Sequence, residues 1–442
     1  MAGTFAPRDD SFDGKVKLTG VDYGRAAVGE AMIDATSRQI PAGSPIWVVL
    51  QWVSQAPIDY DLKTSLILKD EAGHLAGQVD DLLVDDLYPF ERMWAEGETT
   101  NTYHVLPTLP AIPPGKYQLF LKVYEDKTPR PYPKLDAQGN PALIDVLIGS
   151  VDIMPATQPQ TVAPQYPLQN APDMAPNLKL IGYDLPVSSV APGGQIPVTF
   201  FWEANESPAA DYEVELQLRT ADDDVAAQTI SPIGGAYPTS QWRAQEVVRD
   251  WQDLTIPPAL ANGTYELWIA VNDEATSKGE MKLGDLTVEG RPHTFEAPPI
   301  GVSAEATFGN LVNLLGLKSA PAQVVQAGEQ IAVPLVWRVA QPTPLPLVRF
   351  VHLLGADGAP LTQSDGIPCS GACPASTWVK DEILDDELTL TIPPDAEAGD
   401  YTLVTGWYDQ NTLQRLNAMD GEGAPLLDQL MPLPVKVTVA SD

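Results

Sequence analysis

GSPIWVVLQW at residues 43–52, GGQIPVTFFW at 193–202 and GEQIAVPLVW at 328–337 decide how this chain folds. Each opens on Gly and closes on Trp, with apolar side chains at every second position between. The sets are Ile46, Val48, Leu50 and Trp52; Ile196, Val198, Phe200 and Trp202; and Ile331, Val333, Leu335 and Trp337. Side chains of an extended strand alternate between faces, so this period of two predicts a half-buried strand. The Trp is read as the plug of a sandwich core. Around each stretch the same landmarks return. A Gln follows the Trp by 26 residues (Gln78, Gln228, Gln363), and a second Trp precedes a Tyr by 23: Trp94/Tyr117, Trp242/Tyr265, Trp378/Tyr401. Three spacings kept over three segments define a tandem array with a period of roughly 140 residues.

Between the landmarks lie further strands and turns. KDEAGH (69–74), TADDDV (220–225) and GADGAP (355–360) read as hairpin turns, since Asp bonds its own backbone and Gly accepts positive φ. The triplet Asp222–Asp224 lacks the spaced oxygens of a calcium loop and is read as a solvated turn. PIGGAYPTSQW (232–242) and PCSGACPASTW (368–378) are one loop in two versions, with Cys369 and Cys373 where Ile233 and Tyr237 stand. The first copy departs there, with VDDLYPFERMW (84–94). Glu98, Glu246 and Glu382 each follow the second Trp by four residues and are read as loop or strand-edge hydrogen-bonding groups. A Gly-x-Tyr then enters the last long strand, as in the tyrosine corner of Greek-key sandwiches. Closing strands are expected near 147–153, 283–289 and 433–439.

These signals predict an all-β chain of three tandem Ig-like (Greek-key) β-sandwich domains. The expected domains are 1–154, 178–290 and 302–442. The first carries an insertion near 26–35 that reads as a short helix or an added hairpin. The Pro-studded segment 155–177 reads as an extended, semi-rigid spacer, and 291–301 as a shorter linker.

Composition narrows the function. Net charge is −33, from 59 acidic and 26 basic residues, which argues against nucleic acid and anionic lipid as partners. No apolar run approaches the ~18 residues of a membrane span. MAGTFAPRDD lacks the basic and apolar regions of a signal peptide, so the chain is either cytosolic or an extracytoplasmic piece whose export signal or membrane anchor lies outside this sequence. Cys369 and Cys373, without a neighbouring His or a second Cys pair, do not suit zinc. A local disulfide in an oxidising compartment is the favoured reading, with two free thiols as the alternative.

A resemblance follows from these residues. The second and third units resemble the extracytoplasmic C-terminal β-sandwich modules of bacterial multi-spanning glycosyltransferase-type membrane proteins. The residues that carry it are LIGYD (180–184), Ala191 to Trp202, GGAYPTSQWRAQE (234–246) and IPPDAEAGDYTLVTGWYD (392–409). The first unit shares the skeleton alone. The second unit ends in VND (271–273) in place of a Tyr-Asp pair, and this chain contains no multi-spanning catalytic region. The resemblance therefore implies an accessory region and brings no catalytic residue with it.

No nucleophile elbow, P-loop or dinucleotide fingerprint occurs. The four histidines, His74, His104, His293 and His352, share no motif and are read as surface or packing residues. No catalytic residue, metal site or cofactor is expected. Trp94, Trp242 and Trp378 follow loops and invite a sugar-stacking reading, yet their recurrence favours packing. Outward aromatics on the last long strand are the better contact residues: Trp268 and Tyr408, with Phe120 and Tyr124 in the first unit. The expected function is that of a non-catalytic extracytoplasmic scaffold at a bacterial cell surface, acting on other envelope proteins or by self-association. A carbohydrate-binding module with glycans as ligands is the alternative, and a glycosidase or other hydrolase the remote one.

Overall fold

The computed structural model describes residues 5–26, 37–58, 61–83, 95–128, 130–273 and 276–440. Among them the chain is all-β, with six sheets and helical structure limited to three-residue 3₁₀ turns. The insertion near 26–35 and the 84–94 loop lie outside the described residues, apart from Ala26.

The three deciding stretches form Ile46–Ser54, Gln195–Ala204 and Gln330–Val339, each an interior strand of its sheet. Trp52, Trp202 and Trp337 are fully buried. The Tyr-bearing strands Gly115–Glu125, Gly263–Asp273 and Gly399–Asp409 are interior to the other sheet of each copy. Side chains from both sheets share one core. In the first repeat Leu50 and Trp52 meet Leu119 and Leu121; in the third Leu335 and Trp337 meet Leu403 and Trp407. Each such side chain contributes about 1.5–3 kcal/mol by leaving water.

The opening Gly has a backbone reason to recur. Gly43, Gly193 and Gly328 have φ of 79°, 79° and 83°, the left-handed region that side chains disfavour. They turn the chain from a short strand in one sheet to the Trp strand in the other. Those short strands, Gln39–Pro41, Ser189–Val190 and Val324–Val325, pair parallel with the closing strands Val146–Met154, Thr276–Val288 and Met431–Val439.

Compactness divides the chain into two units. The first comprises Met1–Ser188, Ile196–Leu254 and Tyr265–Leu286; the second comprises Ser189–Gln195, Thr255–Thr264 and Thr287–Asp442. In the first unit, the segment expected to be a spacer is in part sheet. Tyr166–Pro167 and Asp173–Ala175 pair antiparallel with Leu178–Asp184, and Tyr166 stacks on Tyr183 at 5.0 Å. Gly182 permits this approach, because a Cβ there would stand 2.6 Å from the Pro164 ring. In the second unit the 291–301 segment is also bound locally. Arg291 and His293 both face Glu382, and Ile383 N donates to Thr294 O at 2.7 Å.

Candidate functional site

The recurring polar residues are spent on the fold. Glu98, Glu246 and Glu382 each accept the N–H of the residue three before them, from Ala95 at 2.9 Å, Arg243 at 2.8 Å and Val379 at 3.2 Å. In each turn the residue before the Glu has positive φ and donates to the residue two beyond the core Trp: Gly97 to Ser54, Gln245 to Ala204 and Asp381 to Val339. The Glu is a turn lock. Tyr117 donates to Pro113 O and Tyr401 to Glu397 O, four residues upstream, as a tyrosine corner does. Trp242 and Trp378 are buried and donate to Tyr237 O and Cys373 O, so they pack and do not present a face to ligand. Trp94 lies outside the described residues.

Cys369 and Cys373 form a disulfide, with Cα atoms 5.5 Å apart. In the second repeat Ile233 and Tyr237 are buried at the matching places, and Tyr237 donates to Glu246 at 3.1 Å. Covalent and apolar anchors thus hold the same loop.

The four outward aromatics face outward but are each half-buried by their own neighbours. Lys69 Nζ lies 5.3 Å from the Phe120 ring centre, and Tyr124 donates to Asp80 at 3.1 Å. Arg219 stands 4.7 Å over the Trp268 ring, whose Nε1 donates to Glu266. Tyr408 packs 6.1 Å from Phe350, and burial with the Asp365 charge raises its hydroxyl to about 12. Phe120 and Tyr124 share a strand face; Trp268 and Tyr408 lie in two other sheets.

Instead, the structure assembles a cleft of about 660 Å³ within the first unit. The 69–74 turn and the Pro113–Tyr117 corner line one side; the loop at 232–236 and strand Val247–Thr255 line the other. His74 sits in it between two carboxylates, Nδ1 2.8 Å from Asp70 and Nε2 3.4 Å from Asp253, and its ring stacks on Trp251 at 5.5 Å. Hydrogen bonds to Asp253 and Asp70 outweigh burial and push the imidazole up to about 9. Burial raises the Asp70 carboxyl, but the bonds from His74 outweigh it and hold it below its usual value. Beneath them Asp250 is buried and accepts from Trp202 Nε1 (3.1 Å), Gly234 N (3.0 Å) and Gln252 Nε2 (2.9 Å). Desolvation raises it to about 6 against those three bonds.

This chemistry is that of a clasp. Both imidazole nitrogens face carboxylates, Nδ1 to Asp70 and Nε2 to Asp253. The hydroxyl of Ser231 is donated to Gln252 Oε1. Among the described residues no three His, Cys, Asp or Glu side chains gather as a metal ion requires. The other histidines also face acids: His104 to Asp81 at 2.9 Å, His293 to Glu382 at 3.1 Å and His352 to Asp365 at 3.6 Å. Sequence reasoning read them as surface or packing residues and named no acid beside them. The Asp70/His74 spacing of four was the one local signal for the clasp; Asp253 is too remote in sequence to be found that way.

No family model matches the chain, and no curated protein matches it. Similar solved structures come from bacterial proteins. The C-terminal domain of the antigen I/II-family protein AspA of Streptococcus pyogenes is 10% identical, covering 53% of this chain and 93% of that one, with a TM-score of 0.16. A putative membrane-anchored protein from Corynebacterium diphtheriae is 11% identical, covering 96% and 92%, with a TM-score of 0.16. A glycosyl hydrolase family 2 member from Bacteroides cellulosilyticus is 8% identical, covering 72% and 39%, with a TM-score of 0.19. At these scores the likenesses carry no functional argument. No helix among the described residues is long and apolar enough to cross a membrane.

Proposed function

We propose that this chain is a non-catalytic, extracytoplasmic scaffold of a bacterial cell surface, acting through protein–protein contacts. The observation that carries the reading is the fate of the recurring polar groups. The Glu in every copy and the hydroxyls of Tyr117 and Tyr401 bond the backbone of their own repeat. The outer surfaces differ between copies, and the outer surface is where a scaffold meets its partners. The disulfide supports an oxidising compartment. An accessory place beside a glycosyltransferase goes with the carbohydrate-binding alternative.

Thiol labelling and in-cell cross-linking test it together. Maleimide is expected to modify Cys369 and Cys373 only after reduction, and cross-linking of intact cells to capture envelope proteins. Free thiols in the native protein count against the compartment; cross-linking that yields no envelope partner and no self-association counts against the scaffold.

Carbohydrate binding is the second reading, and the cleft is what favours it. The Trp251 ring, stacked on His74, and the fixed carboxylates there line a volume of sugar size, whereas Trp268, under Arg219, lines no such cleft. On a glycan array, Trp251→Ala is expected to abolish any signal that Trp268→Ala leaves intact. A flat array removes the reading.

A further inference from the structure

Strand Val247–Thr255 turns Arg249, Trp251 and Asp253 outward, and the first repeat sits on them. Arg249 N donates to Ala111 O at 2.6 Å, its Nε reaches Pro110 O at 3.3 Å, and Trp251 and Asp253 meet His74. Thr99–Leu106 is the matching strand of the first repeat. Thr102 accepts the Trp52 indole at 3.1 Å as Asp250 accepts that of Trp202, which fixes the register. Asn101, Tyr103 and Val105 therefore occupy the places of Arg249, Trp251 and Asp253. Tyr103 is 65% and Val105 59% exposed. The third repeat has Asp385, Glu387 and Thr389 there, a polar face of another kind. The turn glycines tell a parallel story at the opposite end. A Cβ on Gly43 would meet Gln160, and one on Gly193 the Ser376 carbonyl, but one on Gly328 meets nothing within 4 Å. The third repeat also presents an exposed turn, in which Ala359 holds the place of His74.

We propose that the chain associates head to tail with a second copy, the turn end of one copy's third repeat seating on Asn101, Tyr103 and Val105 of the next. The proposal rests on the scaffold reading and names its partner and surface. The in-chain contact of the first repeat's turn with Trp251 is its template, and Tyr103 is the aromatic anchor. A face that meets a different face leaves each copy a free surface of both kinds, so the contact propagates beyond the dimer, as a ring or an open chain of copies. The receiving strip carries no acid, which lets it accept an end bearing Asp357 and Asp395.

Sedimentation velocity of the full chain at rising concentration tests this. Copies of net charge −33 repel, so association is expected to strengthen as salt rises to about 0.5 M. Tyr103→Glu, on an exposed side chain, is expected to weaken it about tenfold or more. With Tyr103→Cys and Ala359→Cys in one chain, oxidation is expected to give a ladder beyond the dimer, and neither single variant a ladder. A chain that is monomeric throughout overturns the proposal, as does a dimer formed by Tyr103→Cys alone, which signals symmetric edge pairing. A monomer that is still cross-linked to other envelope proteins overturns head-to-tail association and leaves the scaffold reading standing.

Discussion

The second and third repeats solve one internal problem in two ways. Each buries a carboxyl group on the strand beside its core Trp: Asp250 in one, Asp386 in the other. Each also takes a backbone N–H from the loop above, from Gly234 at 3.0 Å and from Cys369 at 2.7 Å. In the second repeat the carboxyl also accepts the Trp202 indole, and Val214 stands buried on the facing strand Glu213–Arg219. In the third repeat the matching strand residue is Arg349. It grips Asp386 with two nitrogens, at 2.5 and 3.1 Å. The carboxylate then serves the guanidinium, and Trp337 Nε1 is left without an acceptor. Trp407, where the second repeat has Val271, fills the space and packs edge-on against Trp337 and Trp378 at 5.1 and 5.4 Å. One sandwich tolerates either a lone carboxyl or a buried ion pair, provided two side chains change together, Val214 to Arg349 and Val271 to Trp407.

The largest expected effect breaks the pair. Arg349→Val leaves Asp386 buried without its cation and is expected to cost about 3–5 kcal/mol, read as lost hydrogen-exchange protection in the third repeat. Arg349→Val with Asp386→Leu removes both charges and is expected to recover most of that loss. If the single variant costs less than about 1 kcal/mol, the ion pair is not what distinguishes the third core.

Asp250 gives an effect of about 3 kcal/mol at most, and its sign is set by burial. Its folded value, about 6, lies above its unfolded one, so between about pH 4 and 6 the folded state holds a proton that the unfolded chain has released. Second-repeat stability is expected to fall as pH rises through that window and to level off above it. Asp250→Asn is uncharged at every pH and is expected to flatten the dependence in urea melts from pH 4 to 7. A slope that persists in this variant assigns the effect elsewhere.

The smallest effect concerns the loop. Its disulfide closes so few residues that reduction is expected to cost about 2 kcal/mol or less. Cys369→Ile with Cys373→Tyr transplants the second repeat's anchors and is expected to restore part of that in protein melted under reducing conditions. No gain over the reduced parent means the apolar anchors depend on neighbours that the third repeat lacks, such as a Glu free to accept the Tyr hydroxyl.

The sheet framework was legible because it rests on local pattern. Alternation marked the Trp and Tyr strands, and the shared spacing of Glu98, Glu246 and Glu382 pointed to loop or strand-edge hydrogen bonding, which the structure resolves as a turn lock. The loop homology also placed Cys369 and Cys373 on the anchors of the second repeat. What escaped depends on contacts distant in sequence. Arg349 stands inside the apolar run LVRFVHLL (347–354), and nothing local in that run points to its buried partner Asp386. His74 reads as the end of a turn until Asp253 closes on it. The spacer reading of 155–177 missed that Gly182 leaves room for Pro164, so part of the segment became sheet.

The three-tryptophan stack of the third repeat has an optical consequence. Indoles at 5.1 and 5.4 Å in edge-on pairs couple their transitions, so this core has a chiral near-ultraviolet signature that the second repeat, built around Trp202 and Val271, does not share. Trp202 instead carries a titrating carboxyl on its indole nitrogen, and its emission will follow the protonation of Asp250. The chain therefore contains two intrinsic probes with separate readouts, one of packing and one of pH, each confined to its own repeat and needing no label.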